Sequence, residues 1–300
     1  MRIWIDTDIG SDVDDALTLA YVMRQPGFEL VGVSTVFGDV DLRSEIARSL
    51  IGVAQASDVP VVTGLGVPIS PGRHGLMFGH EGRGIVENAE PRRRTESEPD
   101  ADARVARLAE AMEQAQPEVV LAIGPLSNLG ALLRVGHSLP PLAIMGGKFS
   151  DVELPGMIQG ISEWNWFCDP VATRLVVESS HEALPRVVPA EVTFKTALED
   201  GDLKVLAGGD PLAQQLATLC GIWLDFLRPH AGGKNPHVVL HDPLTAAVLV
   251  RDDLCPFEAR CIEVDEAAKA EVVAGEPNIL AATDVDAGAL RAHLMETWVP

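Results

Sequence analysis

Three hundred residues, 47% of them hydrophobic and 22% charged, supply material for one large core, and α/β folds of this length are often undivided. The net charge of −21 argues against a nucleic-acid or anionic-membrane partner. It suits a small ligand that is neutral or arrives with a cation.

The chain opens with Ile3-Trp4-Ile5, a short apolar run of strand type, followed by five aspartates within ten positions: Asp6, Asp8, Asp12, Asp14 and Asp15. Val13, Ala16, Leu17 and Ala20 then recur at helical spacing, with Ser11 as the expected N-cap. The acids therefore crowd a loop at the carboxyl end of a strand, where open α/β sheets bind ligands. Like charges this close repel unless a cation or bound protons compensate them, so a metal site is expected. The helix dipole accounts for acids in a first helical turn, but not for Asp6 and Asp8 upstream. Phosphate cradling is excluded by the charge of the loop. The EF-hand pattern fails because neither register puts Gly sixth or Glu twelfth.

A strand at Glu29–Thr35, a helix at Leu42–Ala54 and a strand at Val59–Val62 continue a parallel βαβ pattern. From 64 to 102 glycine, proline and charge dominate, and so long an irregular stretch is usually functional or mobile; it is expected here as an active-site loop. It carries His80, a candidate ligand contact. A helix at Ala103–Gln114 precedes the strand Val119–Ile123, apolar throughout as a strand buried on both faces should be. Pro125 is expected at the start of the next helix, and Leu142–Met145 forms another strand. Glu163-Trp164-Asn165-Trp166 alternates polar and aromatic residues; if extended, it puts Glu163 and Asn165 on one face and the two tryptophans on the other, as an exposed edge strand also would. Asp169-Pro170 and Asp242-Pro243 each resemble an N-cap and first helical residue. A strand at Arg186–Val188, a helix at Asp210–Leu227, a second loop at 228–237, strands near Cys261–Val264 and Val272–Val273 and a helix at Asp286–Thr297 complete the chain. No repeat or linker divides it, so residues 1–300 are expected to form one domain. The four cysteines form no CxxC pair and are expected to be reduced. Met1-Arg2 leads straight into the first strand and no apolar run approaches a membrane span, so no signal peptide and a cytoplasmic location are expected.

Assembled, these landmarks resemble the inosine-uridine-preferring nucleoside hydrolase family: Asp6-Thr7-Asp8-Ile9-Gly10…Asp14-Asp15-Ala16, Gly32–Gly38, Gly124–Asn128, Met145-Gly146-Gly147, Glu163-Trp164-Asn165…Asp169-Pro170 and His241-Asp242-Pro243, in the family's order. The resemblance implies a single, Rossmann-like α/β domain with a mostly parallel central sheet and the active site at the carboxyl ends of its strands. It implies hydrolysis of the N-glycosidic bond of a nucleoside to ribose and free base, one Ca²⁺, and a homodimer or homotetramer. It further implies that Asp8, Asp15, Asp242 and the main-chain oxygen of Ile123 bind the ion. Asp8 is then the general base, and Asp14 and Asp242 accept hydrogen bonds from the sugar diol. Glu163 and Asn165 hold the 5′ side, and His241 serves the departing base. Three departures bear on the sugar: two additional residues between Asp8 and Asp14-Asp15, Asp39 where asparagine is usual, and Met157 where many members place a sugar-binding asparagine.

Two rival readings stand beside this one. A haloacid-dehalogenase-type Mg²⁺ phosphatase would use Asp6 as nucleophile and Asp8 as acid–base, but Gly10 stands where that family wants Thr or Val. A non-hydrolytic member would bind a nucleoside or related sugar without cleaving it.

Overall fold

The structure is a computed structural model, and it describes residues 1–56, 58–154, 160–179, 181–232 and 234–300. Five elements open the chain: β1 (Arg2–Thr7), α1 (Asp14–Arg24), β2 (Glu29–Thr35), α2 (Val40–Val53) and β3 (Val61–Thr63). The irregular stretch from 64 contributes only a short antiparallel pair, β4 (Gly75–Leu76) and β5 (Arg94–Thr95), before α3 (Ala101–Ala115). The middle of the chain forms β6 (Val119–Ala122), α4 (Ser127–Arg134), β7 (Leu142–Met145), α5 (Trp164–Cys168), α6 (Pro170–Glu178), β8 (Arg186–Val188) and α7 (Ala190–Thr193). The last part forms α8 (Asp200–Ala207), α9 (Pro211–Leu227), α10 (His241–Ala247), β9 (Phe257–Val264), β10 (Ala270–Val273), β11 (Ile279–Ala282) and α11 (Ala287–Trp298).

Nine strands make one sheet in the order β10-β9-β11-β8-β7-β6-β1-β2-β3. Every pairing from β11 to β3 is parallel, and only β9, which pairs antiparallel with both β11 and β10, runs against the rest. The chain winds outward from β1 through β2 to β3, then returns to place β6 on the other side of β1. That reversal opens a crevice at the carboxyl ends of β1 and β6, where doubly wound sheets bind ligands. Asp8 follows β1 and Ile123 follows β6, so both stand at its mouth.

Alternation along β1 divides the core. Ile3 and Ile5 pack on one face with residues of α1, α2, α9, α10 and α11, while Trp4 packs on the other with α3, α4 and α6. The Trp4 ring occupies space that a side chain on β2 would need: a Cβ at Gly32 would lie 2.2 Å from it. Trp4 is fully buried, and its indole N–H donates to Ser34 at 2.9 Å, which removes the cost of an unpaired buried donor.

Several local expectations are corrected. Ser11 does not cap α1, whose N-cap is Val13 without a side-chain bond. Its hydroxyl turns inward instead, accepting from Arg43 Nη2 at 3.0 Å and donating to Glu81 at 3.2 Å. Glu163–Trp166 is not extended. Glu163 caps α5, accepting from the backbone N–H groups of Asn165 and Trp166, so the acid–aromatic alternation is that of a capped helix start. Pro125 lies one residue before the N-cap Leu126 of α4 rather than within its first turn. Asp242 makes no capping bond, and α10 starts at His241 with Leu240 as its N-cap. Asp169 does cap α6, accepting from Ala172 N at 3.2 Å. No helix among the described residues is long and apolar enough to cross a membrane.

Candidate active site

A cavity of about 630 Å³ opens at the carboxyl end of the sheet, within the range of small-molecule sites. Its floor is acidic. Asp8, Asp12, Asp14 and Asp15 reach it from the loop after β1 and the first turn of α1, and Asp242 reaches it from α10. Carboxylate oxygens of Asp14, Asp15 and Asp242 all lie within 4.8 Å of one another, and all three residues are buried. The backbone N–H of Asp242 donates to Asp14 at 3.3 Å, which ties α10 to α1 across more than two hundred residues of sequence. Thr7 donates from its hydroxyl to Asp15.

Burial first, then the neighbouring acids, raises Asp14, Asp15 and Asp242 well above the ordinary carboxylate range. Burial also raises Asp8, with Arg43 acting against it, and lifts the half-buried Asp12 to about 7. Hard oxygen donors with unmet charge are what Ca²⁺ or Mg²⁺ prefers. Two ligands of a common Ca²⁺ at about 2.4 Å are at most about 4.8 Å apart, so the observed triplet fits such an ion. Asp8 lines the same cavity outside the triplet. Ile123 also lines this cavity, and its carbonyl accepts from Asn165 Nδ2 at 3.2 Å.

The remaining walls are of two kinds. Glu163 and Asn165 line one side. The carboxylate of Glu163 accepts three backbone N–H groups, from Gly147 at 2.9 Å, Asn165 at 2.8 Å and Trp166 at 3.0 Å, yet burial still pushes it up to about 7. Aromatic rings line the cavity as well: Phe78, Trp164, Phe194, Trp223 and Phe226, together with the exposed His230. Trp223 and Phe226 stack at 5.5 Å, and Phe78 touches Trp164 and Phe226 at 5.8 Å each. His241 stands between acid and aromatic walls. Its Nδ1 is 2.6 Å from Thr193 Oγ1, Phe194 packs edge-on at 4.7 Å, and burial lowers its pKa to about 4.

Not every expected residue reaches the cavity. Asp39 caps α2 and is engaged by Arg92, whose backbone N–H and Nη2 donate to it at 2.9 and 3.1 Å. These bonds hold it below the usual range against its burial, so its contact with the sugar is corrected to a structural one. His80 borders a separate void of about 30 Å³ behind the acidic loop and is corrected likewise. Its Nε2 lies 2.7 Å from the Ser11 carbonyl and its ring stacks on Phe226 at 4.2 Å. Met157 lies outside the described residues. Asp6 is fully buried behind the floor, accepting from Ser34 and from Asn128 at 2.7 Å, which removes it as a phosphatase nucleophile.

The similarity of this chain to known proteins runs almost end to end. A profile described as "Inosine-uridine preferring nucleoside hydrolase" matches residues 3–292. The chain belongs to that family. It is therefore a hydrolase of the nucleoside N-ribohydrolase class. Uridine nucleosidase 1 of Arabidopsis thaliana is 28% identical over 276 residues, covering 88% of this chain and 78% of that one. Among solved structures, a purine-preferring ribonucleoside hydrolase from Gardnerella vaginalis superposes with a TM-score of 0.79 at 21% identity, covering 99% and 98% of the two chains. A plant nucleoside hydrolase, the PpNRh1 enzyme, gives 0.78 at 21% over the same shares. At these identities the two superpositions establish the fold.

Within this nucleoside hydrolase, sequence reasoning missed several residues that shape the site. Arg43 is the only lysine or arginine fully buried among the described residues, and it touches the acidic loop directly. Its signal was an arginine on the apolar face of α2, three residues before Ile46 and seven before Leu50. Thr193 and Phe194 gave no signal, because a one-turn helix has no period to read. Gly124 figures in the sequence only as the first residue of the Gly124–Asn128 landmark. A Cβ there would come within 2.9 Å of the Asp8 backbone nitrogen and 3.0 Å of its carboxylate, so the loop after β6 packs against Asp8.

Proposed function

We propose that this nucleoside hydrolase cleaves the N-glycosidic bond of a ribonucleoside, giving ribose and free base, with Ca²⁺ as its resident ion. The observation that carries the reading is the meeting of Asp242 with Asp14 and Asp15 in a cavity that aromatic rings also line. Asp8, Asp15, Asp242 and the Ile123 carbonyl are the proposed ligands, with Asp14 close enough to join them. When bound, the ion supplies Lewis acidity toward water and sugar hydroxyls and neutralises part of the floor.

The protein side chains do the rest. Asp8 takes the proton from the attacking water as general base. Cleavage passes through an oxocarbenium-like state, and the surrounding carboxylates stabilise its positive charge. Asp14 and Asp242 accept hydrogen bonds from the 2′- and 3′-hydroxyls, and Glu163 and Asn165 hold the 5′ side. Binding energy there is converted into orientation of the anomeric carbon. Phe78, Trp223 and Phe226 offer stacking faces to the base. His241, neutral at pH 7 because burial holds it near 4, serves as a hydrogen-bond donor through Nε2 when Thr193 donates to its Nδ1. The stretches 64–102 and 228–237 act as active-site loops, since Phe78 and His230 come from them.

The test is incubation with inosine, uridine, adenosine and cytidine while reducing sugar is measured. The expected result is release that a calcium chelator stops and that Asp8→Asn removes. Tight binding without release would make this a non-hydrolytic member. Cleavage of a phosphate ester would restore the phosphatase reading.

A further inference from the structure

The acidic loop is held from beneath by one buried cation. Arg43, fully buried on α2, directs its Nη1 to the main-chain oxygens of Asp8 and Ile9, the latter at 2.9 Å. Its Nε donates to Phe37 O at 2.6 Å and its Nη2 to Ser11 Oγ at 3.0 Å. The Nη2 also lies 3.8 Å from an Asp8 carboxylate oxygen. Every nitrogen of the guanidinium is therefore committed to the ends of β1 and β2, through a planar fork that no lysine reproduces. Ser11 passes the contact on to Glu81, which is buried and accepts from the backbone N–H groups of Phe78 and Gly79 at 2.6 and 2.7 Å. Phe78 belongs to the aromatic wall. One side chain thus touches the acidic loop directly and, through Ser11 and Glu81, the loop that carries one residue of the wall.

Five residues, Ile9 to Val13, separate Asp8 from Asp14-Asp15, and they include a further acid, Asp12. A longer loop loses more conformational freedom on ordering, and another acid adds repulsion. A buried fork bonded to successive carbonyls answers both costs.

We propose that Arg43 is the positioning residue of the catalytic floor: it fixes the main chain of residues 8–11, aims Asp8 into the cavity, and through Ser11 and Glu81 holds the loop that carries Phe78. The part that concerns catalysis rests on the nucleoside hydrolase reading above, whereas the positional part does not.

The decisive variant is Arg43→Lys, with Ser11→Ala as a milder cut of the same network. In the calcium-free protein, amide hydrogen exchange is measured first. Arg43→Lys is expected to speed exchange at residues 8–12 and 78–81 at least about tenfold, while β6 and β7 stay protected. Calcium affinity by titration is expected to fall about 10- to 100-fold, as for residues that orient metal ligands. At saturating calcium, kcat is expected to fall while KM changes little. Ser11→Ala is expected to move the same quantities in the same direction by less, and it decides the matter if Arg43→Lys does not fold. Unchanged exchange in both loops of a folded variant overturns the proposal. Faster exchange with wild-type kcat and calcium affinity also overturns it, because the role would then be structural only. A wild-type protein that cleaves no nucleoside while the variant still frees both loops would sink the function and leave the positioning role standing.

Discussion

On the floor of the cavity Asp14, Asp15 and Asp242 bring oxygens within 4.8 Å of one another, whereas on its wall Trp223 stacks on Phe226 and Phe78 packs tilted against it. The floor is unfavourable to fold without a partner, because burial and repulsion both oppose its charge. The wall stabilises itself by the area its rings remove from water. Their supports differ as well. The floor stands on strand ends and first helical turns at the centre of the sheet. The wall is assembled from a loop and the outer helix α9. Precision is thus concentrated where charge must be placed, and adaptability where a flat ring must be covered.

The sharpest way to break this contrast is to remove the base from the floor. Asp8→Asn should lower kcat/KM by about 100- to 10,000-fold, the usual weight of a positioned general base, with the fold retained by circular dichroism. Next comes a displacement without any chemical change. Gly124→Ala puts a methyl group 2.9 Å from the Asp8 nitrogen, and a shift of about 1 Å in a reacting group costs about 100-fold, read in kcat at saturating substrate.

The third test concerns protons. The floor carboxylates are raised, so each holds its proton to higher pH than a free carboxylate, and the ion binds their deprotonated forms. Calcium affinity should therefore fall as pH falls, by about tenfold for each proton displaced per pH unit. Calorimetry in buffers of different ionisation enthalpy should show proton release on binding. Affinity independent of pH between 5 and 8 would contradict the charged floor.

Changes in the wall should act on binding alone. Phe226→Ala removes a stacking face worth about 1–3 kcal/mol, so KM should rise about tenfold with kcat nearly unchanged. The smallest effect is expected at the boundary between the two regions. His241 has a folded pKa near 4, below its ordinary 6.5, so its neutral form contributes stability above 6.5 that is lost as pH falls toward 4. From pH 6.5 to 8 it adds no limb to the kcat/KM profile. A limb near pH 6.5 that disappears in His241→Ala would refute that assignment.

Read from residues alone, the βαβ alternation, the buried β6 and the acid-rich end of β1 were all legible, because periodicity and charge are local properties. The antiparallel edge was only partly legible. β9 begins at Phe257 rather than near Cys261, and β11 and α8 went unread, since their short apolar runs carry no distinguishing period. Glu163–Trp166 stayed open because an alternation of four residues fits a strand or a capped helix start equally well. Asp39 misled because its partner, Arg92, lies 53 residues away.

The order of residues by itself determined that acids would gather where a strand ends, that the sheet would be mostly parallel, and which family the chain resembles. Only the tertiary structure decided which acids meet. Asp242 joins Asp14 and Asp15 because α10 packs across α1, Asp6 and Asp39 turn to other partners, and Arg43 is folded beneath the loop it holds. The physical reason is that charge and hydrophobic period act over a few residues of chain. Convergence on a point depends instead on how distant elements pack, which no local pattern encodes.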